Sequence, residues 1–393
     1  MYTASTALLE ALHEAGVSYL FANLGSDHSA LIETIAEGRA NGRDLPQLIT
    51  CPNEMVALSS AHGFAQVSGQ AQAVVVHVEC GTQALGGAVH NAARGRVPVF
   101  IFAGLSPFTQ EGELRGSRNE FLQWIQDVHD QRGIVREYMK YDNEFRTAAN
   151  VKAIVRRAML FAHSEPKGPV YLVGAREVME EECKPTGTPG IAPCGALFAI
   201  ALPATLVAEI VGALERARRP LIVTSYAGRK PEAVDELLRL AHGLGIGVLE
   251  SVPNFMNYPH DDELYVGNQW NQAVQNIALA EADVILVVDS DVPWIPTVSQ
   301  PSPGAVIFHI DVDPLKSSMP LWYIHAQRSC QADATTALAQ MNAHVATSTV
   351  DLGAVEERRR HYSALHTLRL QRLRAAEQPK MEAITPEYLT ACI

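Results

Sequence analysis

Short apolar runs recur along this chain at spacings that leave room for a helix between them, and that rhythm constrains the fold more than any other feature. In the first half the runs are SYLFAN (18–23), PQLITC (46–51), QAVVVHV (72–78), VPVFIFAG (97–104) and GPVYLVG (168–174). Helical stretches over 3–15, 28–38, 54–68, 82–94 and 150–163 fall between them. Strands joined through helices run parallel, because each helix carries the chain back to the starting edge of the sheet. A second series follows: RPLIVTS (219–225), GIGVLES (245–251), ADVILVVDS (282–290) and GAVIFHIDVD (304–313), with helices such as 231–243 and 271–281. The expected class is α/β, with two parallel-sheet, three-layer α/β/α domains. CKPTGTPGIAPCG (183–195) has the Pro, Gly and Thr content of a linker. The expected division is therefore 1–182, a linker at 183–198, a second domain over 199–345, and a connector over 346–393.

Composition excludes several classes. With 47% apolar and 19% charged residues in 393, the chain has material for two or three cores. A formal net charge of −12 argues against nucleic acid as a partner. No apolar run is long enough to span a membrane, and the N-terminus enters a helix without the pattern of a signal peptide. Cysteines 51, 80, 183, 194, 330 and 392 form no CxxC pair, which suits free thiols in a reducing, cytoplasmic setting and no metal site. The arginines of VEERRRHYSALHTLRLQRLRAAEQPK are expected to coat a solvated helix. Thr385 and Pro386 have the form of a helix start, and the chain stops soon after, as though a third domain were about to open.

Glu54 is the first candidate for chemistry. It opens CPNEMVALSSAHGFAQVSG (51–69), a mostly apolar helix with no capping serine. A carboxylate there complements the positive end of the helix dipole, and a lone acid against apolar packing also suits a catalytic group.

The order of ANLGSDHSALIE (22–33), the Glu54 helix and HVECGTQALGGAVHNAARGRVPVFIFAG (77–104) resembles the pyrimidine-binding domain of thiamine-diphosphate enzymes. The flavour is that of acetolactate synthases and benzoylformate decarboxylases. The second series resembles the central domain of the same family. The resemblance implies that Glu54 hydrogen-bonds N1′ of the aminopyrimidine and favours the imino form, whose nitrogen takes the thiazolium C2 proton. It implies that Gly81, Thr82 and Asn91 border the cofactor and that His77 is catalytic. Ser26, Asp27, His28 and Gln126, with Asp127 beside it, are implied at the substrate. Ser26 and Asp27 also suit a plain turn and helix cap, and Gln126 and Asp127 also suit a helix surface. Ala84 departs from an asparagine often found at that place in the family.

GLGIG (243–247) imitates a dinucleotide fingerprint but ends a helix, so it reads as a cap; PHDDE (259–263) reads as an acidic loop. The flavin-binding arginine motif does not follow VILVV, and FAD is not expected. Family members hold the diphosphate through Mg²⁺ with a Gly-Asp-Gly segment, which these 393 residues lack. The expected function is that of a thiamine-diphosphate-dependent 2-oxo-acid decarboxylase or carboligase. Its diphosphate and Mg²⁺ would be bound by a domain missing here or carried by a second chain, and the expected partners are itself, as a dimer or tetramer, or a chain carrying the diphosphate-binding domain. The alternative is a non-catalytic scaffold or regulatory subunit that keeps the fold.

Overall fold

The structure, a computed structural model, describes residues 1–185, 197–270, 273–381 and 383–393. Most of the expected linker, including Cys194, therefore lies outside the described residues. The chain divides into two compact units, Met1–Leu197 and Phe198–Ile393.

In the first unit the strands are β1 (Tyr19–Ala22), β2 (Gln47–Thr50), β3 (Gln72–Val76), β4 (Val99–Leu105), β5 (Tyr141–Phe145) and β6 (Val170–Ala175). They form one parallel sheet in the order β2-β1-β3-β4-β6-β5. The pleat sends alternate side chains to opposite faces, and two separate cores record it. Phe100 and Phe102 enter the core shared with helices Ala4–Glu14 and Val151–His163. Val99, Ile101 and Ala103 enter the other, with helices Glu54–Ser68 and Gly86–Arg94. This is the three-layer arrangement that the apolar rhythm predicts.

The second unit repeats the plan with β7 (Pro220–Thr224), β8 (Gly247–Ser251), β9 (Tyr265–Gln269), β10 (Val284–Val288), β11 (Val306–Asp311) and β12 (Arg328–Gln331). Its order is β12-β11-β10-β7-β8-β9, again all parallel.

Several expectations change. β5, β9 and β12 were not foreseen, and all three are sheet edges. An edge strand needs no continuous apolar run, and YDNEF and RSCQ are largely polar. The stretch 82–94 is two helices, Val78–Ala84 and Gly86–Arg94, parted where Gly86 takes a left-handed φ of 46°. The 271–281 helix shortens to Ile277–Glu281, and residues 271 and 272 lie outside the described residues. Helix Glu54–Ser68 is buried on one side only, since Met55, Val56 and Val67 are exposed. Gly245 caps helix Pro231–Leu244 in the left-handed region, as the sequence suggested, and Thr385 caps Pro386–Ala391. In PHDDE, Asp262 is tied to His242, Tyr258 and the Leu264 amide.

The charged helix Leu352–Ala376 is more than a solvated rod. Arg358 is buried and donates to the carbonyls of Leu244 and Glu215; His366 Nδ1 lies 2.8 Å from the Tyr265 carbonyl. Tyr362 donates to the Pro220 carbonyl at 2.7 Å, with its ring on Gly247, where a Cβ would come within 2.4 Å. No described helix is long and apolar enough to cross a membrane. Tyr362→Phe removes one buried hydrogen bond and is expected to cost about 1 kcal/mol. Tyr362→Ala also opens a cavity and is expected to cost about 3–5 kcal/mol. Urea unfolding in a Trp124→Phe background, followed by the tryptophans of the second unit, measures both.

Candidate functional site

All strands of the first sheet end on one edge, and β1 lies between β2 and β3. The chain leaves β1 to one side and returns on the other, so the carboxyl ends of β1 and β3 flank a crevice of the kind that binds ligands in open α/β sheets. Three connections deliver side chains there: Asn23 to His28 after β1, Asn53 and Glu54 after β2, and His77 to Gly81 after β3.

Glu54 is the first residue of its helix and is buried. Asn53 supplies the cap that the sequence reading did not find, its Oδ1 accepting from the Val56 amide at 2.9 Å. Asn23 Nδ2 donates to Glu54 Oε1 at 3.1 Å, and no described residue donates to Oε2. A Cβ on Gly81 would lie 3.3 Å from Glu54 Oε1 and 3.1 Å from Val76 Cβ, so glycine keeps the space beside the carboxylate open. Asn23 is the candidate-site residue that sequence reasoning missed. Its only signal was its place at the end of a strand, two residues before the GSDH turn.

His77 stands beside this carboxylate. Its Nδ1 lies 2.6 Å from Asp27 Oδ1 and its Nε2 lies 3.2 Å from Gln126 Nε2. Asp27 Oδ2 accepts the Val78 amide at 3.2 Å. Two glycines make room for the pair. A Cβ on Gly25 would come within 2.1 Å of His77 Nδ1, and one on Gly104 within 1.9 Å of Asp27 Oδ2. Val78 has a φ of 32°, a strained value for a β-branched residue of the kind that collects at functional sites.

The hydrogen bond to Asp27 lifts His77 above the ordinary imidazole range; burial opposes the lift, and the Asp27 charge, Gln126 and Glu54 reinforce it. Burial opposes ionisation of Asp27, but the His28 and His77 rings and the Val78 amide outweigh it and hold the carboxyl below its usual range. Burial itself pushes His28 down toward the neutral form.

The other expected site residues sort by burial. Ser26 is exposed at the mouth of the crevice. Asp27 and His28, expected at the substrate, are buried beneath His77, and His28 Nδ1 accepts the Gly25 amide at 3.0 Å. Asp27 lies against both the His77 and His28 rings. The Thr82 hydroxyl turns inward, bonded to the Val78 carbonyl and shared with Tyr171, each at 2.7 Å. Asn91 is exposed on helix Gly86–Arg94 with its Oδ1 3.3 Å from His90, apart from the Glu54 group's hydrogen bonds. Asp127 pairs with Arg118. Among the described residues no cluster of His, Cys, Asp and Glu is arranged to hold a metal.

Two doubly wound α/β units, the first with a buried carboxylate and a histidine raised above the ordinary imidazole range at its strand ends, define the class of fold. Family models narrow it. Residues 2–134 match the thiamine pyrophosphate enzyme N-terminal TPP binding domain, and residues 207–341 match the thiamine pyrophosphate enzyme central domain. The chain belongs to the thiamine pyrophosphate enzyme family.

It is 25% identical over 314 residues to the acetolactate synthase large subunit of Lactococcus lactis, covering 79% of this chain and 52% of that protein. It is 27% identical over 224 residues to benzoylformate decarboxylase of Pseudomonas aeruginosa, covering 57% and 39%. Among solved structures, the thiamine diphosphate-dependent 4-hydroxybenzoylformate decarboxylase of Rhodococcus jostii shares the fold. That match has a TM-score of 0.73 and 21% identity, over 89% of this chain and 63% of that one. The chain thus spans about half the length of the first of these relatives.

The Asp27–His77 pair sets a pH signature. His77, raised in the fold, adds stability that is complete below about pH 6.5 and is lost as pH rises through its folded value. Asp27, lowered in the fold, adds stability present above about pH 3.9 and lost as pH falls through its folded value. The stability lost in Asp27→Asn should therefore be largest between about pH 4 and 6.5 and should shrink on either side. Denaturant titrations across pH 3–9 test the shape of that curve.

Proposed function

We propose that this chain forms the pyrimidine-binding and central parts of a thiamine-diphosphate-dependent 2-oxo-acid decarboxylase or carboligase. Residues outside these 393 would hold the diphosphate and its Mg²⁺. The observation that carries the reading is the Glu54 carboxylate, with Oε1 pinned by Asn23, Oε2 without a donor among the described residues, and Gly81 leaving space alongside. That donor set and that opening fit an aminopyrimidine ring.

When bound, thiamine diphosphate supplies a carbon nucleophile for the 2-oxo group and an electron sink for the bond that breaks. Glu54 holds a proton at Oε2 toward N1′ of the ring, while Asn23 fixes the carboxylate plane. His77 presents Nε2 and positive charge to the carboxylate of a 2-oxo acid, steadied from below by Asp27 and His28. Ser26 offers a hydroxyl at the mouth. Gly81 admits the ring, Thr82 ties down the helix behind it through Tyr171, and Asn91 lies on the next helix.

The diphosphate is the unsupported half, since no Gly-Asp-Gly segment occurs in the sequence. In this reading the partner is a second copy in a dimer or tetramer, or a chain that carries the diphosphate-binding domain. The exposed Met55, Val56 and Val67 on the Glu54 helix support such a contact, because they leave apolar side chains on its outer side for a partner to cover.

Glu54→Gln keeps the shape of the side chain and removes its proton. In the enzyme reconstituted with the diphosphate-binding domain, turnover should fall by about 10²–10⁴ with the fold intact. Steady-state kinetics with circular dichroism tests this, and near-normal turnover favours the scaffold alternative. These 393 residues alone should bind thiamine diphosphate only at about the millimolar level and turn nothing over, because linked sites lose their multiplied affinity when one half is gone. Calorimetry with Mg²⁺ and cofactor checks it; micromolar binding would point to a phosphate site within the chain.

A further inference from the structure

The long connection between β4 and β5 reaches back to the crevice and places Gln126 on His77. Its course is pinned on both sides of that contact. Arg118 donates to the Pro107 carbonyl at 2.7 Å, pairs with Asp127 and lies 5.3 Å over the Trp124 ring. Gln123 is buried and accepts the amides of Asn119 and Glu120. Gln131 donates to the Gly104 carbonyl at 2.8 Å. Between these anchors Phe121, Leu122, Trp124, Ile125 and Val128 are all exposed.

We propose that Gln126 is a gate on His77: its amide occupies the one ring nitrogen that faces the crevice, a ligand carboxylate takes its place, and the segment 118–128 registers the exchange. The inference rests on the reading of this crevice as a site for 2-oxo acids and gives that site a regulated entry.

The chemistry follows from the ring. Asp27 holds Nδ1, so Nε2 alone can meet a ligand, and Gln126 already covers it. A neutral ring offers a lone pair at Nε2, which the Gln126 NH₂ satisfies and which repels a carboxylate. A charged ring offers an N–H at Nε2, so the amide must turn its oxygen inward or leave. A carboxylate then competes well, since a charge-assisted bond is roughly twice as strong as a neutral one. The groups that bear on the ring's charge are Asp27 and His28 from the β1 connection, Glu54 from its helix, and Gln126; Glu79 and Cys80 follow on the next turn. Asp27 and Glu54 favour the charged ring that opens the gate.

A gate and a simple substrate contact predict opposite signs. If Gln126 only held the substrate, its removal would weaken carboxylate binding. As a competitor for Nε2, its removal should strengthen it. The test uses the full chain with ¹⁵N-labelled histidine, at pH 6, with sodium propionate as the bare carboxylate. The His77 ring signal reports binding, and amide hydrogen exchange reports the segment.

Gln126→Ala should bind propionate roughly 2- to 10-fold more tightly, the factor that corresponds to losing one neutral hydrogen-bonded competitor. In the unsubstituted chain propionate should speed exchange over 118–128; in Gln126→Ala exchange should be fast already and insensitive. Gln126→Glu supplies a second line if the alanine variant folds poorly. It places a carboxylate on Nε2, so the His77 titration midpoint should rise and the propionate response should vanish. Weaker or unchanged binding in Gln126→Ala, a silent segment, or no His77 response up to 200 mM (about 10²-fold above millimolar affinity) would overturn the gate. A propionate response without 2-oxo-acid turnover in the reconstituted enzyme would uphold the gate and remove the functional reading.

Discussion

A parallel strand order places every strand's carboxyl end, and the connection that follows it, on one edge of the sheet. In the first unit that constraint brings together residues spread from Asn23 to Gln126. β1 sits between β2 and β3, so the turns after these three strands converge, and no local sequence feature is needed to assemble them. The central strands β3, β4 and β6 are short and buried on both faces by two separate cores, which fixes the register of the sheet and with it the height of each turn. The placement of Glu54 and His77 is therefore a consequence of packing far below them.

The central strands were legible because burial on both faces demands apolar residues at every position, and such runs stand out. The edges β5, β9 and β12 were not. One side of an edge strand faces solvent or a loop, so its residues need not be apolar, and GNQ in β9 or DNE in β5 carries no strand signal. Glu54 was legible because an acid at the head of an apolar helix is incongruous. Its partner Asn23 was not, because an asparagine after a strand is ordinary. The depth of Asp27 and His28 was hidden for a different reason. It depends on Gly104, on a strand far along the chain, whose missing side chain is where the Asp27 carboxylate lies. Contacts of that span leave no mark on local sequence.

The two units also differ in how they close. Both leave apolar side chains exposed, the first on the Glu54 helix and around Trp124 and the second at Met256, Leu315 and Leu321, but the second also wraps its edge with helix Leu352–Ala376. Tyr362, Arg358 and His366 spend their polar atoms on backbone carbonyls of that unit, so the helix belongs to its fold and its charged surface is only its outer face.

Gly25 and Gly104 give the buried pair an unusual history as well as a place. Because each glycine is the space into which a charged side chain fits, neither can acquire a methyl group while Asp27 and His77 remain where they are. Drift at any of these four positions is blocked unless the others move with it. A lineage that abandons the histidine is free to fill both gaps, and one that fills either gap has already abandoned it. Among descendants of this chain the four residues should be inherited as a block, and a bulky residue at position 104 would date the loss of the ionised pair.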